Sequence, residues 1–331
     1  MPCRGAVSSR SMDTGQMGAV VDLNRRRPVV VGIGDEDEHD AAVRFAAADA
    51  VRAGRPLHVV HVIDPPFLGS GPEQMLLTFE DARVVGEQLL QAAVDRAHEV
   101  VEGRVPVVRR WRRGRVVPVL VEVSEAADVV VLQHRQRTGL RRVVTGSVCA
   151  GVAGRAHVPV VSVPELWTDD ESSTGVVLGL DDTPGSGHLL ESAFALAAER
   201  KQPLVVVHGW FIASMYEEAL IGRAGVEEAR AKARSRIEAA MAVLAAVYPT
   251  VEASLTIAHA RPADALVAAS RNSALLVLGR RGAAHSVTHL GSVARALIRE
   301  STCPVMILPP EWTRSADAGA RDAVEQPKAD H

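Results

Sequence analysis

The chain alternates short apolar runs with longer stretches in which apolar side chains recur at helical spacing, most clearly in its C-terminal half. There Val176 to Leu180 is followed by Leu189, Leu190, Ala193, Phe194, Leu196 and Ala197 at helical spacing, then by the apolar run Leu204 to Val207. A long Ala/Arg/Glu segment from Val226 to Val247 comes next, then Ala253 to Ala258 and a helical pattern from Ala263 to Ser270. Leu275 to Leu278, a helical pattern from Val293 to Ile298, and Val305 to Leu308 complete the series. Runs that are apolar throughout, without alternation, are expected of parallel strands covered by helices on both faces.

The same pattern occurs twice. Val29 to Gly34 lies over Val176 to Asp181, and Pro56, Leu57 and His61 lie over Pro203, Leu204 and His208, all 147 positions apart. Asp128 to Leu132 matches Ala274 to Leu278 at 146, and Gly146-Ser147 and Pro159-Val160 match Gly291-Ser292 and Pro304-Val305 at 145. Self-similarity at a nearly constant offset marks an internal duplication. The expected organisation is a tail at 1–27, one copy at 28–164, a polar and acidic linker at 165–174, a second copy at 175–310 and a tail at 311–331. The linker is free of apolar periodicity, and the two tails bury nothing obvious and are expected to be disordered. The fold class this predicts is α/β, two tandem doubly wound five-stranded parallel-sheet domains.

Composition narrows the picture. At 331 residues the length suits two domains, so two cores are expected, and with only 3% aromatics they must be filled by Val, Leu and Ala. A net charge of −3 argues against broad attraction to nucleic acid or to anionic membrane. Cys3, Cys149 and Cys303 form no CxxC pair, so neither a zinc site nor a disulfide framework is written here, and a reducing cytoplasm is expected. The first 27 residues carry Arg25, Arg26 and Arg27 with no apolar segment before them, unlike a signal peptide. No apolar run approaches the about 18 residues of a spanning helix.

In open parallel sheets ligands bind at the carboxyl ends of the strands, where the strand order reverses. Asp181 ends the first strand of the second copy, and Thr183 with Pro184 reads as a helix start, Thr as N-cap and Pro as first helical residue. Asp181 is then open to accept hydrogen bonds from a ligand, or else it caps its own loop. Gly279 and Gly282 follow the fourth strand and Gly291-Ser292 opens the next helix. Glycines let main-chain N–H groups approach an anion, and a helix N-terminus adds unsatisfied donors. The segment is neither a Walker loop nor a GxGxxG fingerprint after the first strand, so turn chemistry remains open beside phosphate binding.

Together the first-strand Asp181, the GxxG of Gly279 and Gly282, the Gly291-Ser292 helix start and Cys303-Pro304-Val305 before the fifth strand resemble the universal stress protein family in its tandem, two-domain form. The resemblance implies a nucleotide-binding-like α/β fold, a cytoplasmic location, and pairing of domains through their fifth strands, within one chain or between chains as a homodimer. In one branch of the family it also implies ATP binding. There the Asp and the end of the second strand hold the adenosine, and the glycine loop with its Ser holds the phosphates. Carried to this chain, those positions are Asp181, Val207, Gly279, Gly282, Gly291 and Ser292. The expected ligand is ATP, alone or with Mg2+, and the expected role is a stress-response regulator that also contacts an unidentified protein. The alternative is a ligand-free scaffold acting through protein–protein contacts. Catalysis is not expected beyond incidental ATP hydrolysis, because the motif supplies no general base or metal ligand besides Asp181 and Asp182.

Departures from the family pattern accompany the match. Ala283 to Leu290 is one residue shorter than the corresponding gap in the ATP-binding branch, whereas Arg137 to Thr145 in the first copy has the full length. In that copy Gln133 and Gln136 replace the two glycines and Gly34 replaces the Asp, with Asp35 one position late. A one-residue shift at a strand end sends a side chain to the opposite face, so the first copy is expected not to bind ATP in the family's way. The run RRWRRGR, Arg109 to Arg115, is expected on an edge strand, where charge deters edge pairing. His61 and His208 have no partner carboxylate and read as buried or loop-bonded, and His285 with His289 lacks a third metal ligand. Ser147 and Ser292 lack a nucleophile-elbow context.

Overall fold

The computed structural model describes residues 26–34, 40–64, 79–134, 142–169, 174–181, 186–211, 215–280, 290–310 and 312. The first half runs β1 (Val29–Ile33), α1 (Asp40–Ala53), β2 (Leu57–Ile63), α2 (Phe79–Val101), β3 (Val107–Arg113), α3 (Val116–Ser124), β4 (Val129–His134), α4 (Arg142–Ala153) and β5 (Val160–Pro164). The second half repeats the order with β6 (Val176–Gly179), α5 (Gly187–Arg200), β7 (Leu204–Trp210), α6 (Met215–Val247), β8 (Ala253–His259), α7 (Pro262–Ser270), β9 (Leu275–Gly279), α8 (Ser292–Glu300) and β10 (Val305–Leu308). The helix α6 is broken at Gly222, whose φ of 66° is a left-handed value that suits a residue without a Cβ.

All ten strands form one sheet in the order β3-β2-β1-β4-β5-β10-β9-β6-β7-β8. Neighbours within each half are parallel, while β5 and β10 pair antiparallel with Val161 opposite Met306. The fifth strands therefore join the two halves within one chain. Successive strand residues point to opposite faces, and this divides the interior in an unexpected way. Val29, Val31, Leu178, Leu204 and Met306 pack with α1, α2, α5 and α6 on one face, and Val30, Leu132, Val177, Leu276 and Ile307 pack with α3, α4, α7 and α8 on the other. The expectation of two cores, one per repeat, thus gives way to two apolar layers, each continuous through both halves. Leu57, Leu178, Leu204, Leu275 and Met306 are fully buried, and burying a side chain of this size stabilises by about 1.5–3 kcal/mol.

Polar contacts close the seam on both faces. Arg200 of α5 meets Asp49 of α1 at 2.5 Å, with side chains 9% and 5% exposed, and Arg52 also pairs with Asp49. On the other face the Arg280 guanidinium donates to the carbonyls of Ala153 and Ala156 (3.0 and 2.9 Å), the last turn of α4 and the residues after it. The linker and the C-terminal tail contribute as well. Trp167 of the linker packs edge-on against Phe45, ring centroids 5.5 Å apart, and Trp312 packs against the same layer. The remainder of the tails, 1–25 and 313–331, lies outside the described residues.

Candidate functional site

In the second half the strand order reverses between β6 and β9, whose carboxyl ends point the same way. Leu180, just past β6, donates its N–H to the Val207 carbonyl (3.0 Å), and its own carbonyl lies 2.9 Å from His208 Nδ1. That places Asp181 one step beyond the ladder, half-buried. The Ser186 hydroxyl is 2.8 Å from the Asp181 carbonyl and 3.3 Å from its Oδ1. The helix α5 begins at Gly187 with Ser186 as N-cap, rather than at Pro184 after Thr183; those two residues lie outside the described set. Asp181 therefore helps close its own loop.

Gly279 ends β9 half-buried, and a Cβ there would sit 3.1 Å from Leu189 Cδ2, so a longer side chain would crowd the start of α5. Gly282 lies outside the described residues. Gly291 is the N-cap of α8 with no side-chain capping bond, no described residue lies within 4 Å of a Cβ built on it, and Ser292 is exposed as the first helical residue. The first amides of a helix lack intrahelical partners, which is the geometry that suits an anion. Val207 is placed differently from expectation. The strand β7 continues three residues past it to Trp210, its side chain is buried in the α7–α8 layer, and its carbonyl is taken by Leu180. Strand continuation, invisible in an apolar run that ends at a His, moved the strand end to Trp210, which stacks on His259 at 4.4 Å.

The first half departs at each corresponding point. Gln133 Oε1 accepts the Ala42 N–H (3.2 Å) in the first turn of α1. Ala42 is the counterpart of Leu189, so the smaller residue in α1 admits a glutamine where Leu189 crowds any side chain on Gly279. The helix α4 begins at Arg142, which puts Gly146-Ser147 inside the helix instead of at its N-terminus. Gly34 is exposed, and Asp35 and Gln136 lie outside the described residues. His61, 2% exposed, has Nδ1 3.3 Å from the Ile33 carbonyl, the same link that His208 makes to Leu180. Both histidines thus tie the first strand of a half to its neighbour, as a loop-bonded reading anticipates.

Among the described residues no three His, Cys, Asp or Glu are grouped to hold a metal ion. His285 and His289 lie outside that set. Burial pushes the Cys149 thiol up to about 12 and the Cys303 thiol up to about 11, so neither is a thiolate nucleophile near neutrality. No described helix is long and apolar enough to cross a membrane. Sequence reasoning missed Arg280, whose guanidinium leaves the motif loop to bind the far half, because nothing local distinguishes it from a solvated arginine.

This architecture defines a tandem α/β protein of the nucleotide-binding-like class. A family model described as Universal stress protein family matches residues 25–164 and 174–309, and the chain belongs to that family. It is 30% identical over 294 residues to a universal stress protein of Mycobacterium tuberculosis, covering 86% of this chain and 97% of that one. A universal stress protein structure from Archaeoglobus fulgidus DSM 4304 has the same fold, with a TM-score of 0.59, 18% identity, and coverage of 89% of this chain and 99% of that one. A shorter Archaeoglobus fulgidus universal stress protein, solved in complex with dAMP, is 26% identical and covers 41% of this chain and 97% of its own, with a TM-score of 0.31.

Proposed function

We propose that the protein is an ATP-binding regulatory module of the cytoplasm, in which the second half holds the nucleotide and the first serves as its ligand-free, pseudo-symmetric partner. One observation carries this reading. Asp181 follows β6, the side-chain-free Gly279 ends β9 and Gly291-Ser292 opens α8, whereas in the first half Gln133 stands in place of Gly279 and Gly146-Ser147 lies within α4. In this reading Asp181 accepts hydrogen bonds from the ribose, the α8 terminus and Ser292 donate to the phosphates, and the base meets the end of β7 beyond Val207. Isothermal calorimetry with ATP tests it: one site per chain is expected, and no heat at millimolar nucleotide from folded protein ends the proposal.

A second reading, a ligand-free scaffold that recruits a partner protein, is favoured by the Ser186–Asp181 bond and by the engaged Val207 carbonyl. Nucleotide released from freshly purified protein and identified by mass spectrometry separates binder from scaffold. Phosphate release followed over hours separates a binder from a slow hydrolase.

A further inference from the structure

The two free edges of the sheet are chemically unlike. At one end, β8 carries no Asp, Glu, Lys or Arg from Ala253 to His259. At the other, β3 reads Val-Val-Arg-Arg-Trp-Arg-Arg, and residues 109 to 113 are all exposed. Gly114 N–H donates to the Ile63 carbonyl at 3.0 Å. Alternate residues of a parallel strand bond the same neighbour, so the main-chain groups of Arg109, Trp111 and Arg113 point away from β2. The Arg112 guanidinium, 3.2 Å from the Trp111 carbonyl, agrees with that direction.

The arginines line both faces of this edge. Arg109 and Arg113 lie on the α2 side, where Arg109 Nη1 donates to Gln91 Oε1 (2.9 Å) and the Arg113 guanidinium stands 4.5 Å above the Phe79 ring. Arg110 and Arg112 lie on the opposite side with His58, whose imidazole is held below its ordinary pKa by burial and then by these two charges. None of the four forms an ion pair with a described carboxylate. Charge on an edge deters pairing with a like or uncharged strand; four guanidiniums around an exposed Trp111 therefore restrict the edge to a partner of opposite charge.

We propose that the outer edge of β3 accepts an extended acidic peptide as an eleventh strand. An added strand places successive side chains alternately above and below the sheet, so its carboxylates meet Arg109 and Arg113 on one face and Arg110 and Arg112 on the other. Guanidinium–carboxylate pairs are short, strong and geometrically specific. The outward amides of β3 supply the ladder that strand addition requires. A nucleic acid strand has no amide backbone to complete that ladder and meets the arginines of one face only.

The test uses the full chain and a fluorescein-labelled oligoglutamate at low salt, read by fluorescence anisotropy. The expected result is saturable binding that falls with added salt and is about tenfold weaker in the R110E/R112E double variant. Hydrogen exchange is expected to slow at the amides of Arg109, Trp111 and Arg113. The NMR titration of His58 is expected to move up toward its ordinary value, because the peptide offsets the charges of Arg110 and Arg112. Absence of binding, or binding insensitive to the charge reversal, overturns the proposal. So does equal binding of oligo-dT with the β3 amides unprotected, which reduces the edge to diffuse attraction for polyanions. The exposed positions of the double variant leave the fold intact, as an unchanged circular dichroism spectrum verifies.

Discussion

The two halves share one plan and differ where a ligand would bind. In the second half Gly279 packs closely on Leu189, and α8 begins at Gly291-Ser292 without a side-chain cap. In the first, Gln133 turns back to bond the Ala42 amide and α4 starts at Arg142, ahead of the matching Gly146-Ser147. The strands, their order and the His61 and His208 links recur in both halves, while the ends of the fourth strands and the starts of the helices after them differ. Framework positions are held by burial across many contacts, whereas the end of a strand depends on single side chains. The seam also shows that the halves are not independent, since both apolar layers and the Arg280 contact run across it.

The largest test concerns that seam. Asp49→Ala leaves Arg200 buried without its carboxylate, and removing one partner of a buried pair typically costs about 3–5 kcal/mol. Urea denaturation is expected to show this loss within one cooperative transition; two separate transitions would show the halves to be independent. Next, Gly279→Gln copies the first half into the second and is expected to weaken ATP by about 100-fold, or about 2.7 kcal/mol, with some loss of stability because its Cβ crowds Leu189; full ATP affinity in the folded variant would remove Gly279 from the site. Asp181→Ala is expected to cost about 1–3 kcal/mol of ATP affinity if the carboxylate accepts a buried bond, and unchanged calorimetry removes Asp181 from the site. Gln133→Gly exposes the Ala42 amide at a cost of about 1 kcal/mol in stability. Its ATP stoichiometry is expected to stay at one per chain, because α4 still begins at Arg142.

The smallest effect concerns His134, the residue after Gln133, 5% exposed with both ring nitrogens lacking a hydrogen-bond partner among the described residues. Burial first, and the Arg299 charge second, lower its pKa. The folded protein therefore favours the neutral ring, and the unfolded chain takes up the proton more readily. Stability is fully present above the ordinary histidine pKa and declines as pH falls below it toward the lowered folded value. Denaturation midpoints from pH 7.5 down to about 5 are expected to fall less in His134→Leu than in the parent chain; equal slopes would assign the pH dependence elsewhere.

Much of the fold was legible in the chain. Uniformly apolar runs such as Val176 to Leu180 and Leu275 to Leu278 marked covered parallel strands, and the offset near 147 exposed the duplication. The edge position of Arg109 to Arg113 was legible too, because only an edge tolerates so many charges. The candidate site was legible in composition more than in geometry. Asp181 and Gly291-Ser292 occur where ends of elements were expected, but the start of α5 moved to Gly187 and β7 ran on past Val207. Those boundaries depend on which neighbour satisfies a given main-chain group, and that neighbour is distant in sequence.

Period, offset and residue type thus determined the strands, the helices and the repeat, because each rests on local backbone preference and on which face of an element is apolar. Tertiary structure alone decided that the fifth strands pair within one chain and merge two sheets into one, that Arg280 reaches Ala153 and Ala156, and that Gln133 turns back onto the Ala42 amide. Each is a contact between residues far apart in the chain. Its energy comes from desolvation and from hydrogen-bond partners that exist only once the layers have packed.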